Sequence, residues 1–490
     1  MADIILVMPR SGMDFASSVA PPHALLCVAA PLIQAGYNVK IIDQRVDGQW
    51  REHLKEELNH RPVFVGVSAM TGTQIHFAIE TAKIVRQKGN TPIVWGGAHC
   101  TFLPQQIIDS GWADYVCVGE VDETIVDITS KIQNGKAEKI IKSLLPNVEN
   151  LLPTPYYLLD VKKYIHPDMY VKNGLRTMDI GQTSRGCPFM CGFCSSATIR
   201  ERKWRAMSAE KAIDMITNTV KRYNLTGFWL RDDEFYINSK RAAQISEGIM
   251  PLNVRWYTSG TRVDVLNKTS EEQVALYRRA GAHTLKFGAE SGSERILKMI
   301  NKGITPEDTL EANRKCMRHD ITPAFSLICG FPTETFEEVN MTIDLARKLR
   351  KENPRAQFET MGMYRADPGT PLWDMAMSFG LKPPDKLEGW ADWIGDEYDL
   401  KGIRLPWFCA NDRKALANLT YISMLSNAVP NVIDSLENKF FSELLRLGYY
   451  FPHKYYQWRF FNKHYRNAYE LPLVRWARRE VFYKGRKVIK

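Results

Sequence analysis

Cysteine is scarce in this sequence: nine among 490 residues, and an odd number. That is too few for a disulfide framework, so the cysteines are better sought in a metal or catalytic cluster. Also missing is any run near the ~20 apolar residues that a membrane-spanning helix needs. Internal repeats and low-complexity segments are missing too. Met1 to Pro9 carries no basic leader ahead of its short apolar run, so it reads as a first strand and not as a signal peptide, and a cytoplasmic protein is expected. Excess charge is nearly missing from most of the chain. Lys and Arg number 65 against 55 Asp and Glu, but residues 440–490 hold 12 of the bases and only 3 of the acids. The body is therefore close to neutral and lacks the basic stripe of a nucleic-acid enzyme, so no nucleic-acid partner is expected.

What is present suits two or three globular domains. Residues 3–135 alternate short β-branched runs with amphipathic stretches, the pattern of a parallel sheet wrapped by helices. Strands are expected at Ile4 to Met8, Val39 to Asp43, Val63 to Ser68, Pro92 to Trp95 and Tyr115 to Val118, with a helix over His23 to Ala35 that stops at Gly36. Ligands of such folds sit beyond the carboxyl ends of the strands, which points to the loops at Pro9-Arg10, Ser68 to Thr71, Gly96 to His99 and Gly119-Glu120. A linker rich in Pro, Tyr and Leu follows. Alternation resumes with strands expected at Asp179 to Thr183, Gly227 to Leu230, Arg255 to Thr258, Thr284 to Gly288, Ala324 to Ile328 and Phe358 to Met363. Ser208 and Thr305-Pro306 supply helix starts between them. Six β/α units form an open, partial barrel with its chemistry at the carboxyl strand ends. Beyond about Leu400 only helices are expected.

The sharpest signal is Cys187-Pro188-Phe189-Met190-Cys191-Gly192-Phe193-Cys194, in the loop leaving the first barrel strand. Three thiolates at this spacing can ligate a four-iron cluster and leave one iron open for a substrate or cofactor. A zinc site completed by a distant residue, or a chance grouping of thiols, has the same bare spacing.

These cysteines match the CxxxCxxC motif of radical S-adenosylmethionine enzymes, with Phe193 in the aromatic position before the last cysteine. Gly288-Ala289-Glu290-Ser291-Gly292, Gly330-Phe331-Pro332-Thr333-Glu334-Thr335 and Asp367-Pro368-Gly369-Thr370-Pro371 resemble further segments of that family, so the resemblance spans about 180–375. The N-terminal region resembles the cobalamin-binding domain that precedes this barrel in one large subfamily. Its DxHxxG motif is represented by Asp43-Gln44-Arg45-Val46-Asp47-Gly48, with Arg45 where the cobalt-ligating histidine stands. An arginine keeps its proton and has no lone pair to give cobalt.

The resemblance implies an α/β chain: a Rossmann-like cobalamin-binding domain at 1–140, a linker at 141–175, a partial (β/α)6 TIM barrel at 176–400, and a helical domain, basic and aromatic, at 401–490. It implies three cofactors: a 4Fe-4S cluster on Cys187, Cys191 and Cys194, S-adenosylmethionine near Phe193, Arg262, Glu290 and Ser326, and cobalamin near Pro9, Arg10, Arg45, Ser68, Thr71, Gly96, Gly97, His99, Gly119 and Glu120. Asp232, Asp233 and Glu234, after the second barrel strand, are candidates for holding substrate. The remaining cysteines, Cys329 included, read as small core residues. The tail from Phe440 interleaves 15 aromatics with its 12 bases. That suits either a membrane-surface contact or a helical cap packed on the barrel. The implied activity is methyl transfer to an unactivated carbon of a small-molecule or lipid-like substrate. Oxidative cyclisation or ring rearrangement of the magnesium-protoporphyrin ester cyclase kind is the alternative. A monomer served by an electron donor such as flavodoxin or ferredoxin is expected.

Overall fold

Val39–Asp43, Ile4–Met8 and Phe64–Ser68 lie side by side and parallel, with the chain's first strand between the other two. The computed structural model describes residues 2–12, 19–167, 176–393, 404–429, 433 and 439–473. Two units divide the chain: one takes in residues up to Tyr164 together with Lys382–Tyr398, and the other holds Ile165–Leu381 and the chain from Asp399 to Arg478.

In the first unit, six strands, β1 (Ile4–Met8), β2 (Val39–Asp43), β3 (Phe64–Ser68), β4 (Ile93–Gly96), β5 (Tyr115–Val118) and β6 (Ile140–Lys142), run in the order β2-β1-β3-β4-β5-β6. The sequence of β1, Ile-Ile-Leu-Val-Met, is apolar at every position because helices cover both faces of the sheet. The helix His23–Gln34 ends as expected, with Gly36 at a φ of +93°. Strand β6 went unanticipated, since three residues following a run of lysines give no period to detect. A second departure is larger. The chain leaves the barrel at Leu381, and Lys382–Tyr398 joins the first unit, where Trp390 and Trp393 are fully buried.

The second unit is a curled half-barrel. Its strands are β7 (Thr177–Asp179), β8 (Ser184–Arg185), β9 (Arg205–Ala206), β10 (Gly227–Leu230), β11 (Arg255–Thr261), β12 (Ala282–Glu290), β13 (Thr322–Cys329), β14 (Gln357–Phe358) and β15 (Gly362–Met363). The main path is β14-β13-β12-β11-β10-β7, all parallel, with β15 on β13 and β8 paired antiparallel to β9. Rings stacked between strands, Phe228 on Trp256 and Phe287 on Phe325, fill its core. Asp179 to Thr183 is not one strand: Asp179 Oδ1 accepts from Gly181 N at 2.9 Å, and Gly181, at a φ of +91°, turns the chain out of the sheet. Phe358 to Met363 is likewise broken, because Met361 N donates to Ser423 Oγ at 2.8 Å instead of to a strand. Ser208 caps its helix, and Thr305 and Asp308 form a reciprocal capping box.

Past residue 403 the regular elements among the described residues are all helical: Ala410–Ser423, a wide π turn at Met424–Ala428 and the long helix Lys439–Phe461. The tail beyond Leu473 lies outside the described residues. Among the described residues no helix is long and apolar enough to cross a membrane.

Candidate functional site

The three-cysteine loop leaves the short β8 strand and is held by carboxylates. Asp232, 1 % exposed, accepts hydrogen bonds from Thr183 N and Oγ1 at 3.1 and 3.0 Å, from Ser184 Oγ at 2.5 Å and from Ser184 N. Asp233 accepts from Gly186 N at 2.8 Å and Ser196 Oγ at 3.0 Å, on either side of the cysteines. Glu234 accepts from Arg262 N at 2.6 Å and Tyr236 N at 3.2 Å. This run was expected to hold substrate. Its oxygens are instead committed to the chain's own donors, and it positions the loop. Burial pushes the Asp232 carboxyl up, against the pull of its hydroxyl and amide donors, and raises Glu234 to about 8.

Two glycines complete the loop. Gly186 has a φ of +88°, and a side chain there would collide with the Lys203 carbonyl. Gly192 is gripped on both sides, its N–H donating to Ile300 O at 2.7 Å and its carbonyl accepting from Leu372 N at 2.9 Å. The Asp367 to Pro371 segment thus braces the cysteines, helped by Thr198 Oγ1 donating to Gly369 O at 2.7 Å.

Cys191 is buried, whereas Cys187 and Cys194 are half-buried. Burial raises the Cys187 thiol to about 11 and moves Cys194 the same way, so both are protonated until a cation displaces the proton. Among the described residues no three His, Cys, Asp or Glu side chains are grouped around a single point. A four-iron cube takes each thiolate on a separate iron, and three cysteines on one bracketed loop supply the donor type and number that such a cluster would need.

Arg262 was expected to face the carboxylate of S-adenosylmethionine. Its guanidinium is committed elsewhere: Nη1 donates to Cys191 Sγ at 3.3 Å, Nη2 to Lys302 O at 2.6 Å and Nε to Asp264 at 2.8 Å, with Phe189 3.7 Å beneath. Glu290 and Ser326 do lie at adjoining barrel strands, where Gly288 is in register with Ser326. A bulge in β12 turns Glu290 to a φ of +60° and against Lys302 Nζ at 2.7 Å. Both ends of that pair are buried, 4 % and 6 % exposed. Burial lowers the Lys302 pKa, but the charge and hydrogen bond of Glu290 together with the nearby Cys191 outweigh it, and the net shift is upward. Lys302 also lies 5.7 Å from the Phe193 ring centre, and Phe193 rests on Phe331. Sequence reading missed Lys302, because one lysine beyond a short helix carries no local pattern.

Beside that ring, Glu334 accepts from Phe331 N at 3.1 Å and from Gly330 N, while Oε1 has no partner among the described residues. It borders a cavity of about 390 Å³ walled by Phe336, Phe379, Trp407 and Phe408. Burial raises Glu334 from 4.5 to about 8 despite its amide donors. The folded chain therefore keeps a proton there that the unfolded chain sheds between those values. Stability from this site is fully present below pH 4.5 and is lost as pH rises through about 8. Glu334→Gln is expected to reduce the fall in unfolding free energy between about pH 5 and about pH 9 by a few times 1.4 kcal/mol, with Glu234 keeping its own share. Denaturant titrations at the two pH values check this, and an unchanged difference contradicts it.

In the first unit the expected residues gather at the carboxyl ends of β1 to β5. Gly97 and Gly119 have φ values of +106° and +85°, and a Cβ at Gly97 would meet Ala69 O at 2.7 Å. Gly96 is roomier, with only Cys117 Cβ near. Ser68 and Thr71 are half-buried. Thr71 Oγ1 lies 3.0 Å from His99 Nδ1. His99 is fully buried, burial lowers its pKa to about 4, and its Nε2 has no partner among the described residues. Arg10 binds Gln44 through Nε to the carbonyl at 2.7 Å, and Gln74 reaches the Pro9 carbonyl at 3.4 Å. Glu120 is buried at the end of β5. Arg45 folds back on its own strand end: Nη2 lies 2.6 Å from Asp43 Oδ2 and 2.8 Å from Ala20 O, and Tyr164 Oη donates to the same Asp43 oxygen at 2.9 Å. Close-approach glycines, hydroxyls and an unpaired buried imidazole nitrogen fit a corrin and its tail. No imidazole stands at position 45 to bind cobalt.

Of the other cysteines, Cys117, Cys316 and Cys329 are buried as expected and Cys100 is buried too, but Cys27 is only half-buried and Cys409 is exposed, its thiol 3.1 Å from Asp412.

A half-barrel entered through a bracketed three-cysteine loop, joined to a parallel-sheet domain with a glycine-lined edge, defines a radical enzyme with a cobalamin-binding domain. Residues 182–346 match the radical SAM superfamily and residues 14–129 the B12 binding domain. Relatives include an uncharacterized methyltransferase of Pyrococcus horikoshii, 32 % identical over 401 residues, covering 77 % of this chain and 84 % of that protein. The anaerobic magnesium-protoporphyrin IX monomethyl ester cyclase of Cereibacter sphaeroides is 28 % identical over 400 residues, covering 76 % and 63 %. The fold is similar to that of the radical S-adenosylmethionine methyltransferase TsrM from Kitasatospora setae, solved with cobalamin and a [4Fe-4S] cluster. The TM-score is 0.62 at 17 % identity, over 80 % of this chain and 82 % of that one. This chain belongs to the radical SAM superfamily, in the branch that carries a B12-binding domain.

Proposed function

We propose that the chain is a cobalamin-dependent radical SAM methyltransferase acting on an unactivated carbon of a small-molecule or lipid-like substrate. The observation that carries this reading is the pairing, in one chain, of a braced three-cysteine loop with a glycine-lined domain whose residue 45 cannot ligate cobalt. When bound, cluster and S-adenosylmethionine supply a 5′-deoxyadenosyl radical that takes a substrate hydrogen, and cobalamin supplies the methyl group.

The chain's own residues hold and orient. Cys187, Cys191 and Cys194 take three irons, with Arg262 fixing the Cys191 sulfur by its N–H. Lys302 holds Glu290 by a 2.7 Å ion pair, and with Phe193 and Ser326 nearby on the same half-barrel Glu290 would accept from the ammonium of S-adenosylmethionine. Pro9, Arg10, Ser68, Thr71, Gly96, Gly97, His99, Gly119 and Glu120 border the corrin. Arg45, spent on Asp43, would offer a bound cobalamin no metal ligand from this loop. A flavodoxin or ferredoxin supplies the electron.

The kinship with the magnesium-protoporphyrin ester cyclase favours a second reading, oxidative cyclisation with the same cofactors. Methyl-labelled S-adenosylmethionine separates the two on anaerobically reconstituted protein. Label entering the bound cobalamin with release of S-adenosylhomocysteine is expected for methyl transfer. Formation of 5′-deoxyadenosine with neither event turns the assignment to the cyclase, and failure to bind cobalamin ends both.

A further inference from the structure

The helix Lys439–Phe461 divides its aromatic residues between two faces. Inward, Phe460 is fully buried, Phe461 meets Phe358 at 6.3 Å between ring centres, and Tyr449 Oη donates to Leu425 O at 2.7 Å. This face caps the second unit. Outward stand Phe440, Leu444, Leu447, Phe451, Tyr455 and Trp458, exposed by 79, 55, 73, 79, 48 and 53 %. At 3.6 residues per turn these six positions fall within about 80° of one side, in a stripe about 27 Å long. A soluble helix normally turns such a stripe to the core. Here the core side is already taken, and among the described residues the stripe is covered only at its far end, where His464 stacks on Trp458 at 4.6 Å and Arg459 reaches the Tyr455 hydroxyl at 3.5 Å.

We propose that this stripe seats the protein on the surface of an anionic bilayer, with the helix lying in the interface. The side chains favour that occupant over a second copy of the helix. Four of the six are aromatic, where a two-stranded coiled coil wants Leu, Ile or Val, and Pro452 lies within the helix midway along the stripe. Tyr and Trp place an apolar ring below the headgroups and a polar tip among them, while Phe and Leu reach the acyl boundary. Lys454 borders the stripe, with Nζ 5.9 Å from the Tyr450 ring centre. The composition of this part of the chain agrees: residues 440–490 carry 12 Lys and Arg against 3 Asp and Glu in a chain otherwise near neutral, seven of those bases lying beyond Leu473, outside the described residues. Attraction of the bases to anionic headgroups adds to apolar burial, and the second component is insensitive to salt. Peripheral docking brings the barrel to where a lipid-like substrate resides, but it does not depend on the reaction assigned above.

Flotation of the full-length protein with vesicles of phosphatidylcholine alone, or mixed with phosphatidylglycerol, tests this at low and high salt. The protein is expected to float with the anionic vesicles, to retain part of that binding at high salt, and to bind neutral vesicles weakly. Leu447→Glu with Phe451→Glu is expected to weaken partitioning more than about tenfold. Both substitutions lie on the exposed face, so iron and cobalt content and circular dichroism should stay as in the parent. Failure of the parent to float overturns the proposal. So does flotation that survives the double substitution, which assigns binding to the basic residues alone. A vesicle-free dimer that the double substitution converts to monomer also overturns it, because the stripe then belongs to a second copy.

Discussion

Cys191→Ala is expected to abolish reductive cleavage of S-adenosylmethionine, a loss of at least about a thousandfold, because an iron left without its thiolate leaves the cube incomplete. Cobalt content should be unchanged, since the cobalamin-side residues belong to the other unit of the chain. The removed sulfur is also the acceptor for Arg262 Nη1 and is nearly buried, so the guanidinium loses one of its three partners and the loop one of its anchors. Iron and cobalt analysis on anaerobically reconstituted protein, with 5′-deoxyadenosine measured under dithionite, gives both readings. Full cleavage by the variant would remove the three-cysteine loop from the chemistry.

Lys302→Met carries the largest expected effect on stability. It strands the Glu290 carboxylate in a site 4 % exposed, and breaking a buried pair from one side typically costs about 3–5 kcal/mol. Adding Glu290→Leu should restore most of that loss, because replacing both charges leaves nothing buried and unpaired. Chemical denaturation of the single and double variants provides the measurement. A coupling near zero would mean that water, and not Lys302, satisfies Glu290. The double variant is nevertheless expected to fail at S-adenosylmethionine cleavage, so a stability rescue without an activity rescue separates the structural from the binding contribution of Glu290.

The parts legible in the sequence were those governed by neighbours along the chain. Strands β1, β2, β5 and β10 fall where their apolar runs place them, and Thr305-Pro306 starts its helix through contacts three residues away. The three cysteines announce themselves by spacing. What stayed hidden depends on partners far off in sequence. Nothing around Asp232 says that its oxygens reach back to Thr183 and Ser184, 49 and 48 positions earlier. An acidic run at a strand end therefore looks open to substrate when it is a bracket. Arg262 misleads similarly, since two of its three partners, Cys191 and Lys302, lie 71 and 40 positions away. The return of Lys382–Tyr398 to the first unit has no local signature, because tryptophans bury equally well in either.

The bracket made by Asp232 and Asp233 bears on the order in which this enzyme is assembled. Small metal-dependent domains of the zinc-finger kind stay unfolded until their ion arrives. Here the chain on both sides of the cysteines is tied down by oxygen acceptors that need no iron, so the mould exists before the casting. Such a loop is expected to keep its backbone path whether or not a cluster is bound, and near-identical circular dichroism before and after reconstitution would show it.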